Sequence, residues 1–226
     1  LLKAVEAVPK IKKVFIRSGL RYDYILADKS DKFFKKLVSD HVSGHLKVAP
    51  EHCCNDVLSL MGKPAIENYD KFKAEFEKIT RSVGKEQYIV PYLISSHPGS
   101  TLQSAVELAL YLKNNGLNPE QVQDFYPTPG TASTCMFYTG IDPATGKEVY
   151  VARDYKEKQM QRALLQYSRP ANAPLVREAL KKAGREDLIG FSKDCLVRPE
   201  TETKKYSNRG KPNYKKDIKR TPKKRK

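Results

Sequence analysis

The sequence predicts an α/β protein built on parallel strands, and three observations support this class. Four short apolar segments are typical of buried strands, over residues 12–16, 46–49, 87–94 and 122–125. A helical pattern separates each segment from the next, and such alternation is typical of βαβ units. The 226 residues are enough to bury a core without disulfides. We therefore expect a parallel sheet covered by helices.

The helices are predicted from their caps and apolar spacing. After the first strand, residues 33, 34, 37 and 38 share an apolar face. Residues 69–83 repeat at spacings of three and four until Gly84, which favours a longer helix before the third strand. Ser100 and Gln103 predict a capping box for the helix after that strand. The other predicted N-caps are Ser30, Asn55, Asp154 and Asn172.

The organisation changes after the fourth predicted strand. Residues 126–146 are rich in Pro, Gly and Thr, which indicates an ordered loop rather than a helix. Two helices should follow, so we predict a strand-and-helix domain over 1–146 and a helical domain over 147–198. Residues 199–226 lack apolar periodicity and should form a disordered basic tail. The chain starts with Leu1-Leu2-Lys3, without an initiator Met or a capping residue, which is typical of the interior of a secondary-structure element.

Charge and cysteine content limit the function classes. The formal net charge is +16, but residues 201–226 hold 12 Lys and Arg against two acids, so most of the charge lies in the tail. The longest apolar run, 88–94, is too short to span a membrane, and no signal segment opens the chain. Four cysteines without C-x₂-C spacing predict neither a disulfide framework nor metal ligands. We expect a reduced, cytoplasmic protein.

Polar residues follow each of the first two predicted strands. In (β/α) barrels the active site lies at the carboxyl ends of the strands. Arg17 and Arg21 follow the first strand and could bind a carboxylate or phosphate, although a local turn with Asp23 is the alternative. Lys47, Glu51 and His52 lie in or after the second strand and offer acid–base chemistry, or simply an ion pair. The adjacent Cys53 and Cys54 are interpreted as small core residues.

The exits of the third and fourth predicted strands are also polar. His97 lies in a Ser-Ser-His-Pro-Gly segment that opens a helix, where free backbone N–H groups suit an anion or a cofactor edge. It is either a catalytic histidine or a satisfied loop residue. Residues 126–131, Tyr-Pro-Thr-Pro-Gly-Thr, fix the backbone and suit main-chain recognition of a flat ring. Together the four exits predict a site along one rim of a partial barrel.

The residues at these exits carry a resemblance to a known family. The segments 15–24, 46–52, 92–99 and 124–131 resemble the later barrel strands of the YgiQ family of radical S-adenosylmethionine (SAM) proteins. The stretch 154–190 resembles that family's C-terminal domain of unknown function. The resemblance covers roughly residues 1–198.

The resemblance implies a partial (β/α)₆ barrel of which this chain holds the last four strands. Radical SAM proteins bind a [4Fe–4S] cluster through C-x₃-C-x₂-C and cleave SAM to a radical that abstracts hydrogen from substrate. The 226 residues contain no C-x₃-C-x₂-C. We therefore expect a fragment that lacks the cluster-binding part, holds the SAM ribose and adenine rim, and is inactive alone. The substrate is not predicted.

Site residues are carried over by position within the resemblance. Lys47 and Glu51 match a strand exit that faces SAM in the family. Ile94, Ser95 and Ser96 match residues that line adenine, and Tyr126, Pro127 and Thr128 match a loop that contacts adenine through its main chain. Arg17 and Arg21 could hold the SAM carboxylate or the substrate. Catalytic candidates are Lys47, Glu51, His52 and His97.

Two other functions compete with this one. The basic residues 204–226, with Tyr206 and Tyr214 among them, predict RNA binding with a steep salt dependence; a solvated tail is the alternative. An inert fragment is the other possibility, because a partial barrel leaves strand edges and an apolar face exposed. That hypothesis predicts self-association of the isolated chain.

Overall fold

A computed structural model describes residues 1–200 and places a small parallel sheet at the centre of the fold. Its strands are β1 (His45–Glu51), β2 (Tyr88–Ser95) and β3 (Gln123–Asp124), in the spatial order β1-β2-β3. Both pairings are parallel, with Leu46 opposite Ile89 and Ile94 opposite Gln123. The predicted α/β class is confirmed. The predictions for residues 201–226 lie outside the described residues.

Helices connect and cover the strands. Two lie between β1 and β2, and one lies between β2 and β3, so each parallel connection is a crossover through helix. Over residues 1–200 the helices are α1 (Leu2–Glu6), α2 (Tyr22–Ala27), α3 (Lys32–Lys36), α4 (Asn55–Leu60), α5 (Ile66–Ser82), α6 (Leu102–Asn114), α7 (Ala132–Thr139), α8 (Tyr155–Leu165) and α9 (Ala173–Lys182). A π-helical turn, Leu37–His41, continues α3.

The first predicted strand, residues 12–16, is wrong, so three of the four predicted strands are present. The segment forms no strand, and the chain pairs with β1 only beyond it, where Leu20 forms a parallel bridge with Val48. Before that, the Ile16 N–H donates to the carbonyl of His41 rather than to a strand. Lys12 and Lys13 are exposed, so this segment lacks the buried side chains that hold β1 in place.

Two local predictions are corrected by side-chain caps. Residues 126–146 are not all loop, because α7 begins where the Thr131 hydroxyl accepts from the Thr134 N–H and ends at Gly140. The capping box of α6 uses Thr101 and Ser104 instead of Ser100 and Gln103. A helix cap depends on which hydroxyl reaches a free backbone N–H group. The spacing of residues in the sequence does not distinguish a cap at one position from a cap at the next.

The buried side chains form two main clusters. One lies between β1, α2, α3 and α5, where Phe72 stacks on Phe34 with ring centroids 4.9 Å apart. The other joins α6 to α8 and α9 through Val106, Leu164 and Leu180. None of the helices within residues 1–200 is long and apolar enough to cross a membrane.

A buried glutamine of α8 forms hydrogen bonds with the loop that follows β2. The Oε1 atom of Gln161 accepts from the Ser96 N–H at 3.2 Å and from the Ser100 hydroxyl at 3.0 Å. Its Nε2 atom donates to the Ser100 carbonyl and to Glu157. The helical segment after residue 147 therefore holds the loop that leaves the sheet.

Candidate functional site

A cleft lies at the carboxyl ends of the three strands. Its volume is about 380 Å³, within the range of roughly 300–1,000 Å³ found for small-molecule sites. Five predicted site residues line it together: Glu51, Ile94, His97, Tyr126 and Thr128. Glu51 ends β1, Ile94 and His97 lie at the end of β2, and Tyr126 and Thr128 follow β3, so the parallel topology brings them to one edge.

The backbone is bent where β1 and β2 end at this cleft. Glu51 has φ of 69° and Ser96 has φ of 59°, both in the left-handed region that non-glycine residues seldom occupy. Such a conformation costs about 1–3 kcal/mol per residue and is common at functional sites. The bends turn Glu51 toward the cleft and direct the Ser96 N–H to Gln161.

Glu51 shares the cleft with a lysine that the sequence did not indicate. Lys63 Nζ lies 3.5 Å from a Glu51 carboxylate oxygen and donates to the Ala49 carbonyl at 3.1 Å. Burial raises the pKa of Glu51, and the positive charge of Lys63 opposes that shift without cancelling it. The pair gives the cleft one acceptor and one cationic donor, which suits hydroxyl or carboxylate groups of a ligand.

His97 forms part of the cleft wall. It is 4% exposed, its Nδ1 lies 2.7 Å from the Pro98 carbonyl and its Nε2 lies 2.8 Å from the Ser133 hydroxyl. Its ring also packs edge-on against Phe125, with centroids 5.0 Å apart. Burial lowers the pKa of His97 to about 4. The imidazole is therefore neutral at pH 7 and holds the loops after β2 and β3 together.

This burial predicts a loss of stability in weak acid. The unfolded chain protonates His97 near pH 6.5 and the folded chain only near pH 4, so the stabilisation is complete above pH 6.5 and is lost as the pH falls toward 4. We expect the free energy of unfolding to fall by about 2 kcal/mol between pH 7 and pH 5 from this group. Urea unfolding at both pH values measures it. His97→Asn should remove most of this decrease in the free energy of unfolding, whereas His45→Asn, at an exposed position, should keep it.

Ser95 and Ser96 lie behind the cleft surface. The Ser95 hydroxyl donates to Asp124 at 2.5 Å, and Arg162 of α8 also donates to that carboxylate. Ser96 is buried, and its hydroxyl has no hydrogen-bond partner among residues 1–200. Neither serine lines the cleft, so the structure does not bring these two predicted adenine contacts to its surface.

The remaining predicted residues lie elsewhere. Lys47 is in the middle of β1 and faces a separate groove, with its Nζ 5.7 Å from the ring centre of Tyr92. Arg21 donates from Nε and Nη2 to the two carboxylate oxygens of Asp23, at 2.9 and 2.6 Å. This is the local pair that the sequence offered as the alternative to binding a ligand. Arg17 is exposed. His52 is buried beside the cleft, where its Nδ1 accepts from the Cys54 N–H.

Several cleft residues were missed by sequence reasoning. They are Met61, Lys63, Gln123, Asp124, Phe125 and Ser133. Lys63 follows Gly62, whose φ of 64° ends α4 with a turn back toward β1. Gly62 was a usable signal for the end of α4. The pairing of Lys63 with Glu51, however, depends on tertiary packing, which the sequence does not show. Ser133 belongs to α7, which was interpreted as loop.

The fold and the cleft define the class of protein. Parallel strands joined by helical crossovers, with polar side chains converging at their carboxyl ends, are typical of α/β proteins that bind small ligands at this edge. Comparisons with known proteins then identify the family. The family described as "Domain of unknown function (DUF3362)" matches residues 120–225. No solved structure matches the chain.

The curated relatives are UPF0313 proteins. UPF0313 protein CPE1196 of Clostridium perfringens is 60% identical over 208 residues, which cover 92% of this chain and 31% of that protein. UPF0313 protein CLJ_B0249 of Clostridium botulinum is 58% identical over 197 residues, 87% of this chain and 31% of that protein. The chain belongs to the UPF0313 family, which is the YgiQ family. It spans about a third of the length of these relatives.

Proposed function

We propose that this chain forms part of a radical SAM enzyme and binds the adenosyl group of SAM at the carboxyl ends of β1, β2 and β3. The cleft among these strand ends carries the proposal, because it gathers residues that the resemblance assigns to SAM contact. Family membership supports the same assignment. The parallel sheet with helical crossovers is consistent with part of a (β/α)₆ barrel.

The residues of the cleft fit an adenosyl group. Ile94 and the ring of Phe125 provide apolar surface for a flat base, and the backbone after β3 at Tyr126 and Thr128 provides polar main-chain groups. Pro127 lies between them but does not line the cleft. Glu51 can accept a hydrogen bond from a ribose hydroxyl, and Lys63 holds that carboxylate in place. Bound SAM supplies hydrogen-abstraction chemistry in radical SAM enzymes. In this proposal the residues of the chain bind and orient the group.

The cysteines do not fit an iron–sulfur cluster. Cys53 and Cys54 are adjacent, Cys135 is exposed on α7 and Cys195 donates to the Asp187 carbonyl near the end of the described residues. A [4Fe–4S] cluster needs several thiolates around one centre. We therefore assign no cluster ligand to residues 1–200 and derive no step through a cluster. RNA binding through residues 204–226 stays a prediction.

Binding of an adenosyl ligand tests the proposal without needing turnover. We expect 5′-methylthioadenosine to bind the chain saturably in calorimetric titration, and Ile94→Arg to weaken that binding at least tenfold by filling the cleft. Val90→Arg is the matched control, because it places the same side chain on the same strand but lines the groove of Lys47 instead. No binding to the unsubstituted chain, or weakening by Val90→Arg alone, would contradict the proposal.

A further inference from the structure

Two adjacent cysteines and a histidine form a cluster directly after β1. The Sγ atoms of Cys53 and Cys54 lie 3.9 Å apart, and one ring nitrogen of His52 lies within 4.8 Å of both. His52 is 1% exposed, and the two cysteines are partly buried. Glu107 of α6 approaches this cluster on the Cys54 side, where a carboxylate oxygen lies 3.1 Å from the Cys54 Sγ. Nothing in the proposed SAM site uses these four side chains.

A disulfide is a poor use of this cysteine pair. Consecutive Cα atoms are about 3.8 Å apart across a trans peptide, whereas disulfides usually join Cα atoms about 4.4–6.8 Å apart. The chain contains no cis peptide bond among residues 1–200. The two thiols are therefore held close together in a position that disfavours a bond between them.

The spacing of the sulfur atoms suits a metal ion between them. Two Zn–S bonds of about 2.3 Å at a tetrahedral angle place the sulfurs roughly 3.8 Å apart, close to the 3.9 Å observed. Thiolate, imidazole and carboxylate groups are the ligands that zinc takes in proteins. These ligands are adjacent rather than in C-x₂-C spacing, which explains why the sequence predicted no metal ligands.

The histidine supplies an independent observation. His52 Nδ1 accepts from the Cys54 N–H at 3.0 Å, but Nε2 has no hydrogen-bond partner among residues 1–200. Buried polar atoms without partners are rare in folded proteins and call for an explanation such as an ion. Because Nδ1 is engaged by the Cys54 N–H, the ion would bind through Nε2 and so supply the partner that this atom lacks. Glu107 would link the ion to α6.

We propose that His52, Cys53 and Cys54 bind one divalent cation of the zinc class, and that Glu107, whose carboxylate already contacts Cys54 Sγ at 3.1 Å, closes onto the ion as the fourth ligand. Binding replaces the two thiol protons, which are released to solvent as two S–metal bonds form. With four protein ligands the site is closed, so its role is structural. The ion would fix the loop after Glu51 against α6. The proposal does not depend on SAM binding.

Cobalt titration of the reduced 226-residue chain tests the site. We expect Co²⁺ to bind at one equivalent with a thiolate-to-cobalt charge-transfer band, and Zn²⁺ to displace it. Cys53→Ser and Cys54→Ser should each weaken binding at least tenfold, whereas the matched variants Cys135→Ser and Cys195→Ser should bind as the unsubstituted chain does. Glu107→Gln should weaken binding but keep the band. Absence of the band in the unsubstituted chain, or its survival in both Cys53→Ser and Cys54→Ser, would overturn the site.

A second measurement avoids substitution altogether. Zn²⁺ should protect Cys53 and Cys54 of the folded chain from alkylation by iodoacetamide, as read by peptide mass spectrometry, and should leave Cys135 reactive because it is exposed. Equal alkylation of Cys53 and Cys54 with and without Zn²⁺ would contradict the proposal even if the serine variants failed to fold.

Discussion

Replacing Phe72 with alanine is expected to lower the free energy of unfolding by about 3–5 kcal/mol. Phe72 is fully buried at the centre of the cluster between β1 and α5. Its ring stacks on Phe34, and it also packs against Tyr22 and Phe76 at centroid distances of 5.9 and 6.4 Å. Truncation removes these contacts and leaves a cavity that neighbouring rings are too rigid to fill.

Urea unfolding followed by circular dichroism measures this loss. Lys71→Ala is the matched control, because it shortens the neighbouring, exposed side chain of the same helix and should change stability by less than about 0.5 kcal/mol. If Phe72→Ala and Lys71→Ala unfolded at the same urea concentration, the cluster around α5 would not be the core of the first half of the chain.

Gln161→Met is expected to cost at least about 2 kcal/mol, because it keeps the volume of the side chain but removes its amide. The Ser96 N–H, the Ser100 hydroxyl and the Ser100 carbonyl each lose a partner in a buried position. An unsatisfied buried group costs about 1–3 kcal/mol. The loop after β2 should also loosen from α8, so amide hydrogen exchange should accelerate there.

The control for this variant is Gln103→Met on the exposed side of α6. It makes the same chemical change where water replaces the lost hydrogen bonds, so its stability should stay near that of the unsubstituted chain. Unchanged stability and unchanged exchange near Ser96 in Gln161→Met would show that the helical segment does not hold the strand exit.

Sequence patterns predicted the elements whose signals are local. The helix begun by Asp154 is confirmed, since its carboxylate accepts from the N–H groups of Lys156 and Glu157. Strands β1, β2 and β3 were predicted because each has an apolar run bounded by helices. The segment 12–16 has a similar run, but whether it joins a sheet depends on a partner edge, which the sequence does not display.

The candidate site could be predicted in part for the same reason. Glu51 and Tyr126 were found because parallel strands end at one edge, so polar exits meet, whereas Ile94 came from the family resemblance. The contacts of Lys63, Asp124 and Ser133 depend on how α4, α7 and α8 pack, which no local spacing reveals. Lys47 was expected at a strand exit, but β1 continues four residues further to Glu51 and leaves it facing another groove.

Photo-crosslinking with 8-azido-SAM, followed by peptide mapping, tests the central claim most directly. The azido group sits on the adenine ring, so the label reports where that ring lies. We predict labelling of residues within 123–131 or 94–97, which border the cleft, and its suppression by excess 5′-methylthioadenosine. Competable labelling confined to residues 116–121, which line the groove of Lys47, would contradict the claim that the strand-exit cleft binds the adenosyl group.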